Sequence, residues 1–281
     1  MKVLLVGGTS SFGKVLIPAL KEVAQIITTG RSNCDICLDL GNLAQSISLP
    51  NGLDVIVHAA AHFGGKTPEE MIEAEIVNVV GTLRLCQASI KASVKHFIFI
   101  SSIYSQMNPQ SNYYSTYALS KKHGEEAALY CCDQLGLPLT VLRPTQLYGN
   151  TNDFGKHQPF LYAMVNKAEK GEDIALNGKN NALRNFLHAE DLAQIVLRVI
   201  QKTVIGVYTC QFPTDTSILA IAKAAISAFN STGTVSFLED KENIESNVFP
   251  IDVTLYKRIN FFPQVSIEEG MRRIAKNRIQ S

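Results

Sequence analysis

The sequence predicts an α/β fold: a doubly wound parallel sheet followed by a smaller C-terminal lobe. Three observations predict it. Short apolar runs such as Lys2–Val6 and His96–Ile100 read as strands buried on both faces. Amphipathic helical patterns alternate with those runs through the first half. A glycine-rich turn, Gly7-Gly8-Thr9-Ser10-Ser11-Phe12-Gly13, joins the first strand to the first helix.

Each element follows in order. After Lys2–Val6, residues 12–23 place Phe12, Leu16, Ala19, Leu20 and Val23 at helical spacing. Pro18 lies inside that pattern, where it removes a hydrogen bond or bends the helix. Residues 25–29 and 54–58 are the next strands. Residues 71–89 carry Ile72, Ile76, Val79, Val80, Leu83 and Leu85, a long helix. The strand His96–Ile100 follows, then a helix over 118–134 closed by Gly136 and Pro138, then a strand over 139–142. Strands and helices in alternation imply a parallel sheet with helices on both faces. This sheet domain is placed at 1–149. Beyond it come a polar loop over 150–156, helices over 160–170 and 190–201, a strand over 207–212, and helices over 218–229 and 266–275. That half has no strand–helix–strand rhythm. It reads as a substrate lobe over 150–281, with parts of 186–212 returning to the sheet domain.

Composition narrows the function. The chain has 281 residues, 46% hydrophobic and 18% charged, with a formal net charge of +1. That is globular, with ample material for a core and no basic surface for nucleic acid. No segment approaches the ~20 apolar residues of a membrane helix. The N-terminal apolar run is too short for a signal-peptide core, so a cytoplasmic location is expected. Six cysteines are present, Cys34, Cys37, Cys86, Cys131, Cys132 and Cys210. Cys34 and Cys37 have the spacing of a metal or redox pair, but no second pair accompanies them. No metal is expected, and the thiols read as reduced and inert.

The glycine turn sits where a dinucleotide site requires it. Such a turn brings backbone N–H groups and a helix N-terminus to a pyrophosphate. Gly7 allows the turn and Gly13 allows close packing of the helix. Ser10 occupies the middle position, where glycine usually lets backbone approach phosphate, and its hydroxyl is suited to bind phosphate. An ordinary glycine-rich turn is the bland alternative, and the strand–turn–helix context weighs against it. The second strand ends Thr28-Thr29-Gly30-Arg31-Ser32. An acidic residue there would bind the adenosine ribose of NAD. Arg31 instead offers a planar fork suited to a 2′-phosphate. The reading favours NADP(H), with NAD as the alternative and a solvated arginine as the bland one.

Tyr117 and Lys121 are four residues apart and share a helix face. A phenol has a pKa of ~10, and a nearby ammonium stabilises its phenolate. A fall of ~2–3 units takes about 3–4 kcal/mol, within reach of a desolvated pair. Tyr117 then exchanges a proton with a hydroxyl or ketone while hydride moves at a nicotinamide. Ser102 ends the strand HFIFI-S-S, where parallel sheets bind ligands, and can donate to the same oxygen. On spacing alone the tyrosine–lysine pair is commonplace. Ser102 and the glycine turn give it context.

Further motifs are Asp39-Leu40, His58-Ala59-Ala60-Ala61, Asn78-Val79-Val80-Gly81-Thr82 and Leu142-Arg143-Pro144-Thr145-Gln146-Leu147-Tyr148-Gly149. Two more are Arg184-Asn185-Phe186-Leu187-His188-Ala189-Glu190-Asp191-Leu192 and Ser266-Ile267-Glu268-Glu269-Gly270. With them the sequence resembles the extended short-chain dehydrogenase/reductases, the NAD-dependent epimerase/dehydratase group that mostly acts on nucleotide-sugars. The resemblance covers nearly the whole chain. It implies a Rossmann-like sheet and a catalytic triad of Ser102, Tyr117 and Lys121, with Ser101 as the alternative serine because the segment from Ser102 to Tyr117 is short. It implies cofactor contacts from Gly7, Ser10, Ser11, Phe12, Gly13, Arg31, Asp39, Leu40, Ala59, Ala60, Ala61, Asn78, Tyr117, Lys121 and Pro144. Gln146 falls near the substrate. Arg184 falls at the substrate phosphates, or in an ion pair with Asp191 or Glu190.

The expected activity is keto reduction or hydroxyl oxidation on a nucleotide-sugar. The alternatives are an epimerase holding NAD tightly and a non-catalytic NADP-binding sensor. Such sensors commonly lose the tyrosine or the lysine, and both are here. Dehydration would need an acidic pair near the serine, and Ser102-Ile103-Tyr104 supplies none. A homodimer through 71–89 and 118–134 is expected unless those apolar stripes are core.

Overall fold

The structure, a computed structural model, describes residues 1–280. The chain runs β1 (Lys2–Val6), α1 (Ser11–Lys21), β2 (Gln25–Gly30), β3 (Ile36–Cys37), β4 (Val55–His58), α2 (Pro68–Glu75), α3 (Gly81–Lys91), β5 (His96–Ile100), α4 (Thr116–Leu135) and β6 (Leu139–Pro144). It continues with β7 (Gln146–Tyr148), α5 (Pro159–Glu169), β8 (Ile174–Asn177), β9 (Leu183–Arg184), β10 (Phe186–His188), α6 (Ala189–Lys202), β11 (Gly206–Cys210), β12 (Thr216–Ser217), α7 (Ile218–Ala228), β13 (Val235–Leu238), α8 (Thr254–Ile259) and α9 (Ile267–Gln280).

Seven parallel strands form the main sheet in the order β11-β6-β5-β4-β1-β2-β3. β4 and β5 are buried along their whole length, which is why they read as unbroken apolar runs. Leu4, Ile56, Phe97, Phe99 and Val141 belong to one core cluster against the helices. After β1 the chain builds outward to β2 and β3. It then returns past β1 to β4 and builds the other way. The winding reverses between β1 and β4, and open α/β sheets bind ligands beyond the carboxyl ends of strands at such a reversal.

Two compact units divide the chain. One holds Met1–Pro144, Ala193–Cys210 and Thr254–Asn260; the other holds Thr145–Leu192, Gln211–Val253 and the chain from Phe261 on. The second half thus supplies an edge strand, β11, to the sheet beside β6. The second unit contains three strand pairs: β10–β7, β12–β9 and β13–β8. Among the described residues no helix is long and apolar enough to cross a membrane, no His/Cys/Asp/Glu cluster could hold a metal, and the six thiols are free.

Local rules shift several boundaries. α1 runs through Pro18 and ends at Lys21. The helix expected at 71 begins at Pro68, because Thr67 and Glu70 form a reciprocal capping box. Between α2 and α3, Ile76–Val80 is a π-helical turn.

Candidate active site

The sheet's reversal puts the glycine turn beside the end of β4. Gly7 has φ 92°, and a Cβ there would lie 2.7 Å from the Ala60 nitrogen. A Cβ on Gly13 would lie 2.3 Å from the Gly7 oxygen. Glycine at 7 and 13 is therefore a packing requirement. Ser10 is the N-cap of α1, its Oγ accepting from Gly13 N at 3.0 Å. Its hydroxyl proton remains to donate. Ser11 opens the helix and Phe12 is buried beneath it. Backbone N–H groups, a helix N-terminus and a shape that no Cβ could enter together fit a pyrophosphate.

The other cofactor candidates lie on the loops after β2, β3 and β4. Ala59 N donates to Val6 O at 2.8 Å, and Ala59, Ala60 and Ala61 are half-buried beyond β4. Arg31 is exposed directly after β2. Asp35 folds back on the same strand, its Oδ2 accepting from Thr28 N and Thr28 Oγ1, both at 2.8 Å. Those bonds hold its carboxyl below the usual range. Asp39 Oδ1 accepts from Gly41 N at 2.9 Å, and Leu40 belongs to the core cluster.

Ser115 caps α4 by accepting from Ala118 N, so Tyr117 lies in the helix's first turn. Burial pushes the Tyr117 phenol up to about 12, while the neighbouring Ser102 hydroxyl pulls the other way. One turn later Lys121 is 1% exposed. Its Nζ donates to Ile100 O at 2.7 Å and lies 4.7 Å from the Phe99 ring centroid. Burial lowers it to about 7, and the Glu125 charge opposes that fall. The two adjacent serines have different partners. Consecutive residues of extended backbone face opposite ways. Ser102 meets Tyr117, whereas Ser101 Oγ donates to Glu125 Oε2 at 2.8 Å.

Asn78 lies in the π turn. Its amide donates to His62 O and Ser120 Oγ and accepts from His62 N, each at 2.8 Å, tying the 59–66 loop to α4. Thr82 Oγ1 donates to the Asn78 carbonyl at 2.7 Å, so it accepts from His58 Nε2 at 2.9 Å. Burial keeps His58 neutral, with a pKa of about 3. Pro144 ends β6 and is buried.

Gln146 and Arg184 belong to the second unit. Gln146 opens β7, and its buried Oε1 has no hydrogen-bond partner among the described residues. Arg184 is 4% exposed; it donates to Leu183 O at 2.8 Å and Glu245 O at 2.6 Å. Of its expected ion-pair partners, Asp191 accepts from Gln264 N and Val265 N, and Glu190 pairs with Arg273.

The model of the NAD dependent epimerase/dehydratase family matches residues 3–209. The chain belongs to this family.

This epimerase/dehydratase family member is 21% identical to a putative UDP-glucose 4-epimerase of Methanocaldococcus jannaschii, over 97% of the chain and 96% of the relative. It is 27% identical to a dTDP-4-dehydro-6-deoxy-D-allose reductase of Streptomyces sp, over 66% of the chain and 60% of the relative. The solved UDP-glucose 4-epimerase of Thermus thermophilus in complex with NAD superposes with a TM-score of 0.74 at 18% identity, covering 99% and 98% of the two chains. At that identity the likeness establishes the fold.

Two residues of this family member's candidate site, Glu125 and Phe63, lie outside the sequence motifs. Glu125 receives Ser101, Ser105 and Arg143, and Phe63 stacks on Tyr117. The signal for Glu125 was its spacing: it lies four residues beyond Lys121, on the face that carries Tyr117. Phe63 left no signal, because nothing local predicts which ring a loop residue covers.

Proposed function

We propose that this family member is an NAD(P)(H)-dependent oxidoreductase that reduces a keto group, or oxidises a hydroxyl, on a nucleotide-sugar. The observation that carries the reading is the placement of Ser102 beside the buried Tyr117 phenol, one helical turn before buried Lys121. A bound nicotinamide supplies or accepts hydride. Tyr117 Oη gives a proton to the carbonyl oxygen in reduction and takes it back in oxidation. Burial alone disfavours the phenolate, so Ser102 and the Lys121 ammonium are needed to stabilise it. Ser102 Oγ also orients the reacting oxygen. The glycine turn holds the pyrophosphate, with Asp39, Leu40 and the 59–61 loop around the nucleoside halves. Lys121 binds the nicotinamide ribose and Pro144 lines its pocket. Arg31 favours NADP(H) within that site. Gln146 offers a buried acceptor to the sugar, and Arg184 a guanidinium to its phosphates.

Tyr117→Phe tests the reading. Turnover of a UDP- or dTDP-sugar should fall about 10²–10⁴-fold, with cofactor affinity unchanged. Undiminished turnover would sink the mechanism and leave a cofactor-binding sensor. The near full-length likeness to a protein named as an epimerase favours a second reading, UDP-sugar epimerisation. It predicts NAD that copurifies and no net cofactor turnover; mass spectrometry of the nucleotide released on denaturation separates the two.

The proposal extends to a homodimer through α2, α3 and α4. Ile72 and Tyr130 remain 60% and 71% exposed on those helices. Light scattering should give a dimer for the wild type and a monomer for Tyr130→Asp; a wild-type monomer removes the dimer from the proposal.

A further inference from the structure

Helix α4 carries a third polar group beyond Tyr117 and Lys121. Glu125 is 3% exposed, and a carboxylate at that depth needs compensation. It receives Ser101 Oγ at 2.8 Å and Ser105 Oγ at 3.0 Å, both on Oε2. Arg143 Nε lies at 2.9 and 3.0 Å from its two oxygens, and Arg143 Nη2 closes the pair. These donors come from the end of β5, from the 3₁₀ turn at Ile103–Gln106 and from β6. Lys121 sends its ammonium to Ile100 O, and Glu125 receives the next residue, Ser101. The two opposite charges therefore meet adjacent residues at the strand end that presents Ser102.

We propose that Glu125 is a positioning residue for the acid/base site: it fixes the strand end that presents Ser102 and supplies the counter-charge to Lys121. The inference rests on Ser102, Tyr117 and Lys121 being that site.

The groups facing Lys121 limit the alternatives. From α4 comes Glu125; from β5 come the Phe99 ring and the Ile100 carbonyl; from β4 comes His58, held neutral by burial. Arg143 reaches Glu125 from β6, and Tyr104 stands by Tyr117. Glu125 is the carboxyl group of this set, paired with Arg143. Burial drives Lys121 toward its neutral form, and Glu125 acts against that. A neutral Lys121 cannot stabilise a phenolate, so Glu125 reaches the chemistry through Lys121. Arg143 draws on the same carboxylate, so removing either partner should move Lys121 in opposite directions.

The test is a carbon-13 NMR titration of cofactor-free protein labelled at lysine Cε, with Lys121 assigned by its loss in Lys121→Met. The wild-type midpoint is expected near 7. Glu125→Gln should lower it by about one unit, and Arg143→Met should raise it. Glu125→Asp, which keeps the charge, should stay near wild type and recover most of the activity lost in Glu125→Gln. A midpoint unmoved in Glu125→Gln, or lowered in Arg143→Met, overturns the proposal. If Glu125→Gln does not fold, the Arg143→Met and Glu125→Asp titrations decide it alone. A fully active Tyr117→Phe would instead remove the functional reading. An inactive Tyr117→Phe with an unmoved Lys121 midpoint removes only this inference.

Discussion

The ring of Phe63 lies face to face on that of Tyr117, centroids 4.9 Å apart and planes 12° from parallel. The loop that carries Phe63 is pinned on both sides. Asn78 binds both the N–H and the carbonyl of His62, and Thr116 Oγ1 donates to Gly65 O at 3.0 Å. Gly64, at φ 73°, packs so close that a Cβ would lie 3.0 Å from Tyr117 N. Burial is the chief cause of the raised Tyr117 pKa, so uncovering one face of the phenol should lower it. Phe63→Ala should move the midpoint from about 12 toward ~10. It should also cost about 1 kcal/mol of stability for the lost stack. Ultraviolet difference titration against Tyr117→Phe reads the first effect and denaturant unfolding the second. A midpoint that stays near 12 would mean Phe63 does not contribute to that burial.

Gly124 marks where α4 meets the π turn. A Cβ on it would lie 2.3 Å from the Asn78 carbonyl oxygen, which already accepts from Thr82. In an open helix, glycine to alanine stabilises by about 1 kcal/mol. Here the sign reverses, because the methyl must push α4 away from Asn78 and break the Asn78–Ser120 bond. Gly124→Ala should lose about 1–3 kcal/mol, seen as a lower melting temperature. A variant as stable as wild type would contradict the close approach.

How far the sequence reveals the site depends on how local the cause is. Lys2–Val6 and His96–Ile100 were legible because burial on both faces leaves unbroken apolar runs. Tyr117 and Lys121 were legible because one helical turn relates them. Glu125 obeys the same spacing, but a glutamate on a helix ordinarily faces water. Its burial is caused by Ser101 and Arg143, which lie 24 and 18 residues away in sequence. β8 and β13, four residues each, pair with each other, and neither carries enough period to be read alone. β11 has a readable pattern, but its place beside β6 is a tertiary choice. The capping box at Thr67 was local, and its Thr-Pro-Glu-Glu string explains why the helix begins before its apolar stripe.

Lys121 makes stability depend on pH with a definite sign. Its folded pKa, about 7, lies below the ordinary lysine value of 10.5, so between those values the unfolded chain binds more protons. Its contribution should therefore make the protein more stable as pH rises from about 7 to about 10. Below about 7 both states hold the proton and the dependence vanishes. The full span is at most about 5 kcal/mol. Lys121→Met should lose this rise, and it should be the more stable protein at pH 7 if its lost bond to Ile100 costs less than the relieved burial. Melting curves across that pH range test the slope; equal slopes in the two proteins would mean Lys121 is charged and well compensated when folded.

Arg31 is where the choice between the two nicotinamides is tested. It is exposed, directly after the glycine that ends β2. A 2′-phosphate bound there would gain a charge-assisted contact of about 1.5–3 kcal/mol, roughly 10-fold or more in affinity. A carboxylate near such a phosphate would act against it, and Asp35 is the candidate. Its carboxylate is held on Thr28 of the same strand, and hydrogen bonds from Thr28 keep it ionised. The two side chains should therefore work with opposite sign on a phosphate and weakly on a bare ribose. Arg31→Ala should weaken NADP(H) by about tenfold and leave NAD(H) nearly unchanged. Asp35→Asn should strengthen NADP(H) by a smaller factor, because exposed charges are screened. Calorimetric titration of both cofactors into the three proteins measures all six affinities. If wild type prefers NAD and Arg31→Ala alters neither affinity, then Arg31 is a solvated residue and the tightly held NAD of the epimerase reading takes its place.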